Sequence, residues 1–335
     1  PNTAHRGLGN NARYTTEALR EKGVSADWFP CAVTDIVYRV MEHKPKVVVI
    51  MAVWVTVEEI ERLAKTFPAT QFVVKAHSGP QFLAQEGKAW ATWMACGELN
   101  KKLGNVRLAV VREDFHAGLK AMGVPCVCLP FMFSESEFVE ARKAVETRAP
   151  RGERGVFKIG LFGAFRPLKN AVGGAMAAAL AVNRLRTSYD AVELHVNQRV
   201  EMGSACDMEI IESICNRAGI GLVKHAWLDR EGFRKLQSTM DVCLCPTFSE
   251  TFCIVAADAV MVGTPVVGTP AVYWLPKEQQ INPDNTQLMA DAIVDSGAFE
   301  AVFQLNSLEQ YNRLATETFT VTLASLGVTA AIPKP

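Results

Sequence analysis

Net charge is missing from this sequence: 35 basic residues balance 35 acidic ones over 335 positions. Long apolar runs are missing too. The longest, residues 47–55, falls far short of the roughly 20 residues that span a bilayer, and no signal peptide is visible in these residues. There is no Walker loop, no Gly-X-Ser-X-Gly elbow, no His-Glu-X-X-His zinc helix and no Asp-X-Asp metal motif. Those absences exclude the commonest phosphate-loop, serine-hydrolase and metal-dependent signatures. Helix-turn-helix, zinc-finger and RNA-binding signatures are absent as well, and no repeat or low-complexity segment interrupts the chain. The nine cysteines are odd in number and scattered. Cys126 with Cys128, and Cys243 with Cys245, alternate along apolar runs, as small hydrophobic residues packed on strands do and zinc ligands do not. A reducing, cytoplasmic setting, with membrane contact only at the periphery, is the expectation.

The zero balance hides an asymmetry. Residues 1–169 carry 24 basic and 17 acidic side chains, and residues 170–335 carry 11 and 18. A positive first half suits an anionic partner.

Short β-branched apolar runs alternate with helical stretches throughout. Strands are expected at residues 47–55, 71–76, 106–111 and 125–129, with helices at 11–22, 57–66, 81–95 and 114–122 between them. A charged, helix-prone linker follows at 135–154. Strands then recur at 157–162, 191–196, 220–223, 242–245 and 264–268, separated by helices at 172–185, 208–218, 230–240 and 252–261. One more helix is expected at 308–326. This is the rhythm of two doubly wound α/β domains with parallel sheets. The expected boundaries are 1–133, a linker at 134–154, 155–305, and a final segment at 306–335 that returns to the first domain.

The most informative segment is Cys245-Pro-Thr-Phe-Ser-Glu-Thr-Phe-Cys253 and the helix after it. A strand ends at Cys245, a short loop carries Thr247, Ser249 and Glu250, and a helix starts near Thr251 or Phe252. The first backbone N–H groups of a helix lack intrahelical partners and lie at the positive end of its dipole, which suits a diphosphate. Glu250 stands at the mouth of such a site. Asp258 follows two helical turns later on nearly the same face, so one acid can meet a sugar and the other a ribose. A second segment, Gly160-Leu-Phe-Gly-Ala-Phe-Arg-Pro-Leu-Lys169, follows the first strand of the second domain. Gly163 permits a tight turn, and Arg166 and Lys169 project where strand ends meet a ligand crevice. Two cations there neutralise a departing nucleoside diphosphate electrostatically.

These two segments, with the Gly-Thr-Pro-Val tail from Gly263, resemble the signature of retaining GT-B glycosyltransferases of the large family-four group. The resemblance covers roughly residues 155–275. It implies a GT-B fold of two facing Rossmann-like domains, with the nucleotide-sugar donor on the second. It implies that Glu250 contacts the donor sugar, that Asp258 binds ribose hydroxyls, and that Arg166 and Lys169 bind the diphosphate. Thr251, Phe252 and Cys253 stand where the family has Gly-Phe-Gly, whose backbone contacts phosphate and sugar beside Ser249. Gly9, in Gly7-Leu8-Gly9, takes the place of the first-domain glycine-rich loop. His77 falls where a family histidine contacts the donor sugar. His225 and Trp227 fall on the loop that contacts the base.

The implied activity is transfer of a sugar from a nucleoside-diphosphate sugar, UDP- or GDP-linked, with retention and without a metal or other cofactor. The acceptor is unknown and is expected to be anionic: a polysaccharide, a lipid or a modified nucleic acid. Two alternatives stay open, another GT-B enzyme such as a nucleotide-sugar epimerase, and a non-catalytic nucleotide-sugar-binding module. The latter draws on the side chains at Thr251, Cys253 and Asp258, which depart from the family pattern.

Overall fold

The computed structural model describes residues 6–83, 88–148, 155–198, 206–297 and 301–328. The chain divides into two compact units, one of residues 1–135 with 311–335 and one of residues 136–310. The first contains α1 (Arg6–Glu21), α2 (Ile36–His43), β1 (Val47–Ile50), α3 (Val57–Thr66), β2 (Gln71–Ala76), α4 (Pro80–Leu83), α5 (Lys88–Leu103), β3 (Val106–Val110), α6 (Glu113–Ala121) and β4 (Cys126–Cys128). The second contains α7 (Glu135–Thr147), β5 (Val156–Leu161), α8 (Ala171–Leu185), β6 (Ala191–Asn197), α9 (Asp207–Ala218), β7 (Gly221–His225), α10 (Arg230–Ser238), β8 (Val242–Cys245), α11 (Ile254–Met261), β9 (Val266–Gly268) and α12 (Thr286–Val294). The last helix, α13 (Ala301–Ser325), starts in the second unit and ends in the first.

In the first unit the strands run parallel in the order β1-β2-β3-β4. Successive side chains of β2 face opposite sides. Phe72, Val74 and Ala76 join Ile60, Leu63, Trp93 and Leu108 in one core. Val73 faces the other core, with Ala109, Leu129, Ala315, Phe319 and Leu323. The final turns of α13 therefore complete the first unit. Tyr14, Phe131 and Phe133 pack as an aromatic triad beside them, and Asn312 holds the Phe133 backbone through both its N–H and its carbonyl. Helix α3 starts at a reciprocal cap: Thr56 Oγ1 accepts from the Glu59 N–H at 3.2 Å, and Glu59 accepts from the Thr56 N–H at 3.1 Å.

The second sheet is parallel with the order β7-β6-β5-β8-β9. The chain leaves β5 toward β6 and β7, then returns on the other side as β8 and β9. The strand order thus reverses between β5 and β8, and the loops after those two strands border the crevice that such a reversal opens. Helix α8 lies tightly on this sheet because its inner face is small: Gly174, Ala175, Ala177, Ala178 and Ala181 are all buried.

Several expectations need correction. The first expected strand stops at Ile50, because pairing with β2 ends there, and Trp54 beyond it is exposed. Residues 7–9 do not form a glycine-rich loop; they lie within α1. A Cβ added at Gly9 would meet nothing within 4 Å, so no close approach demands glycine there. The expected helix at 81–95 appears as α4 and α5, with residues 84–87 outside the described residues. The charged, helix-prone linker does form a helix, α7, and residues 149–154 lie outside the described residues. Helices α2 and α12 were not anticipated.

One polar group sits inside the first unit without compensation. Lys75, on β2, is 1% exposed, its Nζ has no hydrogen-bond partner among the described residues, and it lies 6.0 Å from the centre of the Phe319 ring. Burial lowers its pKa from 10.5 to about 7, with Cys128 opposing the shift slightly. The unfolded chain keeps this proton up to its ordinary pKa, whereas the folded chain loses it near 7. Between those values the unfolded state binds more protons, so stability climbs with pH, and below about 7 the penalty is fully present. Lys75→Met is expected to raise stability at pH 7 by up to roughly 4–5 kcal/mol and to flatten that climb, read by urea denaturation across the range.

Candidate functional site

The candidate site lies within the second unit, where the loops after β5 and β8 meet. Gly163 turns the chain immediately after β5 with φ of 117°, a conformation that side chains disfavour. Its N–H donates to Asn197 Oδ1 at 3.0 Å, which ties the turn to the end of β6. Arg166 precedes and Lys169 ends a single 3₁₀ turn, Pro167–Lys169, that opens onto α8. Asn170, in the left-handed region, donates through Nδ2 to the carbonyls of Pro246 and Pro283. The second loop is fastened to the first from its own side. The Phe248 N–H donates to the Leu168 carbonyl at 2.9 Å, and Thr247 Oγ1 lies 3.0 Å from the same oxygen. Thr269 Oγ1 donates to the Thr247 carbonyl.

Between these loops Lys169 Nζ donates to Glu250 Oε1, and the side chain of Glu250 is 10% exposed. Burial works against the charge of Lys169, but the attraction of Glu250 and the bond to it prevail, and the pKa of the ammonium is raised. Arg166 is close enough for its charge to oppose that of Lys169. Phe162, Gly163, Lys169, Thr247, Glu250 and Cys253 line one small pocket. The site gathers two cations and one carboxylate around a glycine turn, which is the chemistry of an anion cradle with an acid at its rim.

Cys253 caps α11 with φ of 65° and offers no side-chain hydrogen bond to the helix. The first N–H groups of α11 are thereby left to whatever occupies the pocket. That left-handed backbone is what glycine adopts most readily, and the resembled pattern has glycine at this position. Phe252 is buried against Trp274, whose Nε1 donates to the Phe252 carbonyl at 2.7 Å. Thr251 and Ser249 are half-buried on the same loop.

Asp258 does not share this pocket. It is buried on α11, and its Oδ1 accepts from Arg234 Nε of α10 at 2.6 Å. Arg234 also reaches Glu137 Oε2 at 2.7 Å, and Arg230 donates to the same carboxylate. Burial acts to raise the pKa of Glu137, yet the two guanidinium groups prevail and hold it low. The ribose contact expected of Asp258 is not seen in this arrangement, in which its carboxylate is engaged by Arg234. The aspartate side chain is short and is drawn beneath the helix into a buried charge network.

Trp227 is exposed on the loop that follows β7. His77 and Gly9 belong to the first unit. His77 follows β2, and burial, then the charge of Lys75, holds its pKa well below the usual range. Asn197 and Asn170, which anchor the two loops, escaped the sequence reading. Their signal was available only as an asparagine at a strand end and one before a helix. Among the described residues no group of three or more His, Cys, Asp or Glu side chains is placed to hold a metal ion, and all nine cysteines are free. No described helix is long and apolar enough to cross a membrane.

The fold of two parallel-sheet α/β units is shared with solved structures. Anabaena Alr3699/HepE in complex with UDP superposes with a TM-score of 0.57 at 15% identity, over 87% of this chain and 79% of that one. The fold is GT-B. Sucrose-phosphate synthase from Thermosynechococcus elongatus gives a TM-score of 0.59 at 18% identity, over 88% and 76% of the two chains. Staphylococcus aureus TarM, in complex with fondaparinux, alpha-GlcNAc-glycerol and UDP, gives 0.60 at 13%, over 88% and 58%. No protein-family model matches the sequence, and no curated protein matches it.

Within a GT-B fold the position of Asp258 separates a structural role from a ligand role. Asp258→Ala removes one partner of a buried pair and is expected to lower stability by roughly 3–5 kcal/mol, read by chemical denaturation. The affinity of the folded variant for a nucleoside diphosphate is expected to change less than about threefold. A drop of more than about tenfold would restore the ribose contact.

Proposed function

We propose that this protein is a glycosyltransferase that moves a sugar from a UDP- or GDP-linked donor to an acceptor, with retention and without a metal. The observation that carries the reading is the Lys169–Glu250 pair, set between a glycine turn and the open N-terminus of α11. The bound UDP of HepE and of TarM, which share the fold, supports a nucleoside diphosphate as the donor.

In this reading the diphosphate lies on the Gly163 turn and the first turn of α11, facing Arg166 and Lys169. Glu250 leaves Lys169 as the phosphates arrive and takes hydrogen bonds from hydroxyls of the donor sugar. Negative charge grows on the leaving diphosphate as the glycosidic bond breaks, so both cations bind the transition state more strongly than the ground state. That supplies the charge that a metal supplies elsewhere. The acceptor hydroxyl attacks from the face that the diphosphate leaves and passes its proton to a departing phosphate oxygen, and the retained anomer follows. The positive balance of residues 1–169 suits an anionic acceptor.

Calorimetry and thermal shift with UDP, GDP, ADP and their sugar conjugates, all in EDTA, test the donor. A ligand at 100 times its Kd is expected to stabilise the protein by about 2.7 kcal/mol. Lys169→Ala is expected to weaken diphosphate binding and to lower kcat. Glu250→Gln is expected to cut turnover by roughly 10²–10³ with little change in nucleotide affinity. Wild-type turnover in both variants would falsify the assignment. NMR of the product anomer decides retention, and binding without turnover or hydrolysis over a broad acceptor panel leaves a nucleotide-sugar-binding module instead.

A further inference from the structure

The strand ends beside the glycine turn carry an arrangement that the diphosphate site does not use. β6 and β7 pair with His195 opposite Val223 and Asn197 opposite His225. Asn197 receives the Gly163 N–H, so His225 lies two strands from that turn, about 10 Å away at the ordinary strand spacing. A nucleoside whose diphosphate sits on the turn spans that distance with its ribose and base. Phe162, which lines the pocket, meets the His225 ring edge-on at 6.3 Å between centres.

Three polar side chains are linked there in series. His195 Nε2 lies 3.1 Å from Glu193 Oε2, and His195 Nδ1 lies 2.9 Å from His225 Nε2, with the ring planes 15° apart. A carboxylate only accepts, so His195 Nε2 carries hydrogen. Burial lowers the pKa of both imidazoles; for His195 the bond to Glu193 opposes the shift without reversing it. At neutral pH His195 is therefore neutral, and its Nδ1 holds a lone pair. His225 Nε2 must then be the donor between the rings. A neutral His225 with hydrogen on Nε2 has a bare Nδ1, and that atom bonds to no described residue. The single carboxylate of Glu193 thus sets the hydrogen-bonding sense of the outermost ring atom.

We propose that Glu193 and His195 are positioning residues that fix the tautomer of His225, and that His225 Nδ1 accepts a hydrogen bond from the ring N–H of a lactam base, uracil or guanine, in the donor nucleotide. The inference rests on the nucleotide-sugar reading and deepens it. Adenine and cytosine carry a ring lone pair where uracil and guanine carry that N–H. A fixed acceptor faces this lone pair unfavourably, leaving two acceptors opposed and unpaired.

Two measurements test it. Long-range ¹H–¹⁵N NMR on histidine-labelled protein at pH 7.5 reads the tautomers without any ligand, with His225→Ala assigning the signals. His195 and His225 are both expected to carry hydrogen on Nε2, and Glu193→Ala is expected to turn His225 into a tautomer mixture. A merely structural role for Glu193 does not move that signature. Calorimetry then compares UDP with 3-methyl-UDP, and GDP with 1-methyl-GDP. N-methylation of the tighter-binding nucleotide is expected to weaken binding about tenfold in the wild type and less than about twofold in His225→Ala. Inorganic pyrophosphate is expected to bind both proteins equally. Hydrogen on Nδ1 of His225 in the wild type, or a methylation penalty that survives in His225→Ala, overturns the inference. If no nucleoside diphosphate binds at all, the nucleotide-sugar reading falls and this one with it. Tight UDP or GDP binding that ignores both methylation and His225 removes only this one.

Discussion

The Lys169–Glu250 ion pair joins two loops that leave the second sheet in opposite directions. Each loop alone is an ordinary strand-to-helix connection. Joined, they place a cation from the β5 side and an acid from the β8 side in one pocket, with the open end of α11 beside them. The neutral hydrogen bonds around the pair serve the same end. Asn170 reaches across to Pro246, and Phe248 and Thr247 reach back to Leu168. A charge-assisted bond at this depth is stronger than any of them and is also the bond that an incoming anion can replace. The surrounding bonds hold the loops in register while that exchange takes place.

The acidic signature separates into two kinds of chemistry. Glu250 faces a pocket, whereas Asp258 faces Arg234 and, through it, Glu137 and Arg230. The second set links α7, α10 and α11 behind the site. Four charges with two carboxylates and two guanidiniums are electrically balanced, which is how buried charge is tolerated at all. The network fixes the angle of α11, and the angle of α11 decides where its free N–H groups point.

How much of this was legible varies with the physics behind each residue. The strands among the described residues read clearly in position, though the first was drawn too long, because a strand covered on both faces is mostly apolar, and runs such as Val242-Cys-Leu-Cys245 announce that. Glu250 and Lys169 could be expected side by side because each stands a short distance after the end of neighbouring parallel strands, and the structure pairs them there. The partner of Asp258 was not legible, because spacing gives a helix face but not the side chain waiting there; Arg234 lies 24 positions earlier in the chain. Gly7-Leu8-Gly9 misled because glycine pairs signal turns and yet are tolerated in the opening of a helix. Helix α12 was missed because it is only nine residues long and its apolar residues, Leu288, Met289, Ala290, Ala292, Ile293 and Val294, are interrupted by Asp291 alone, which leaves no clear helical period. The Glu193–His195–His225 series was invisible, since strand pairing alone brings residues 195 and 225 together.

The last turns of α13 carry a further consequence, for the order in which the molecule assembles. Phe319, Leu323 and Leu326 belong to the core of the first unit, although some 175 residues of the second unit separate them from β4. On a ribosome adding about 5–20 residues per second, the first sheet waits roughly 10–40 seconds with one face covered only in part, by Ala18 and Leu19 of α1, after its strands have emerged. The second unit is complete by then. The half of the protein that is made first is thus the half that finishes last. During that interval the part of the Val73, Ala109 and Leu129 face that awaits α13 is the surface on which a chaperone, or a misfolding contact, acts.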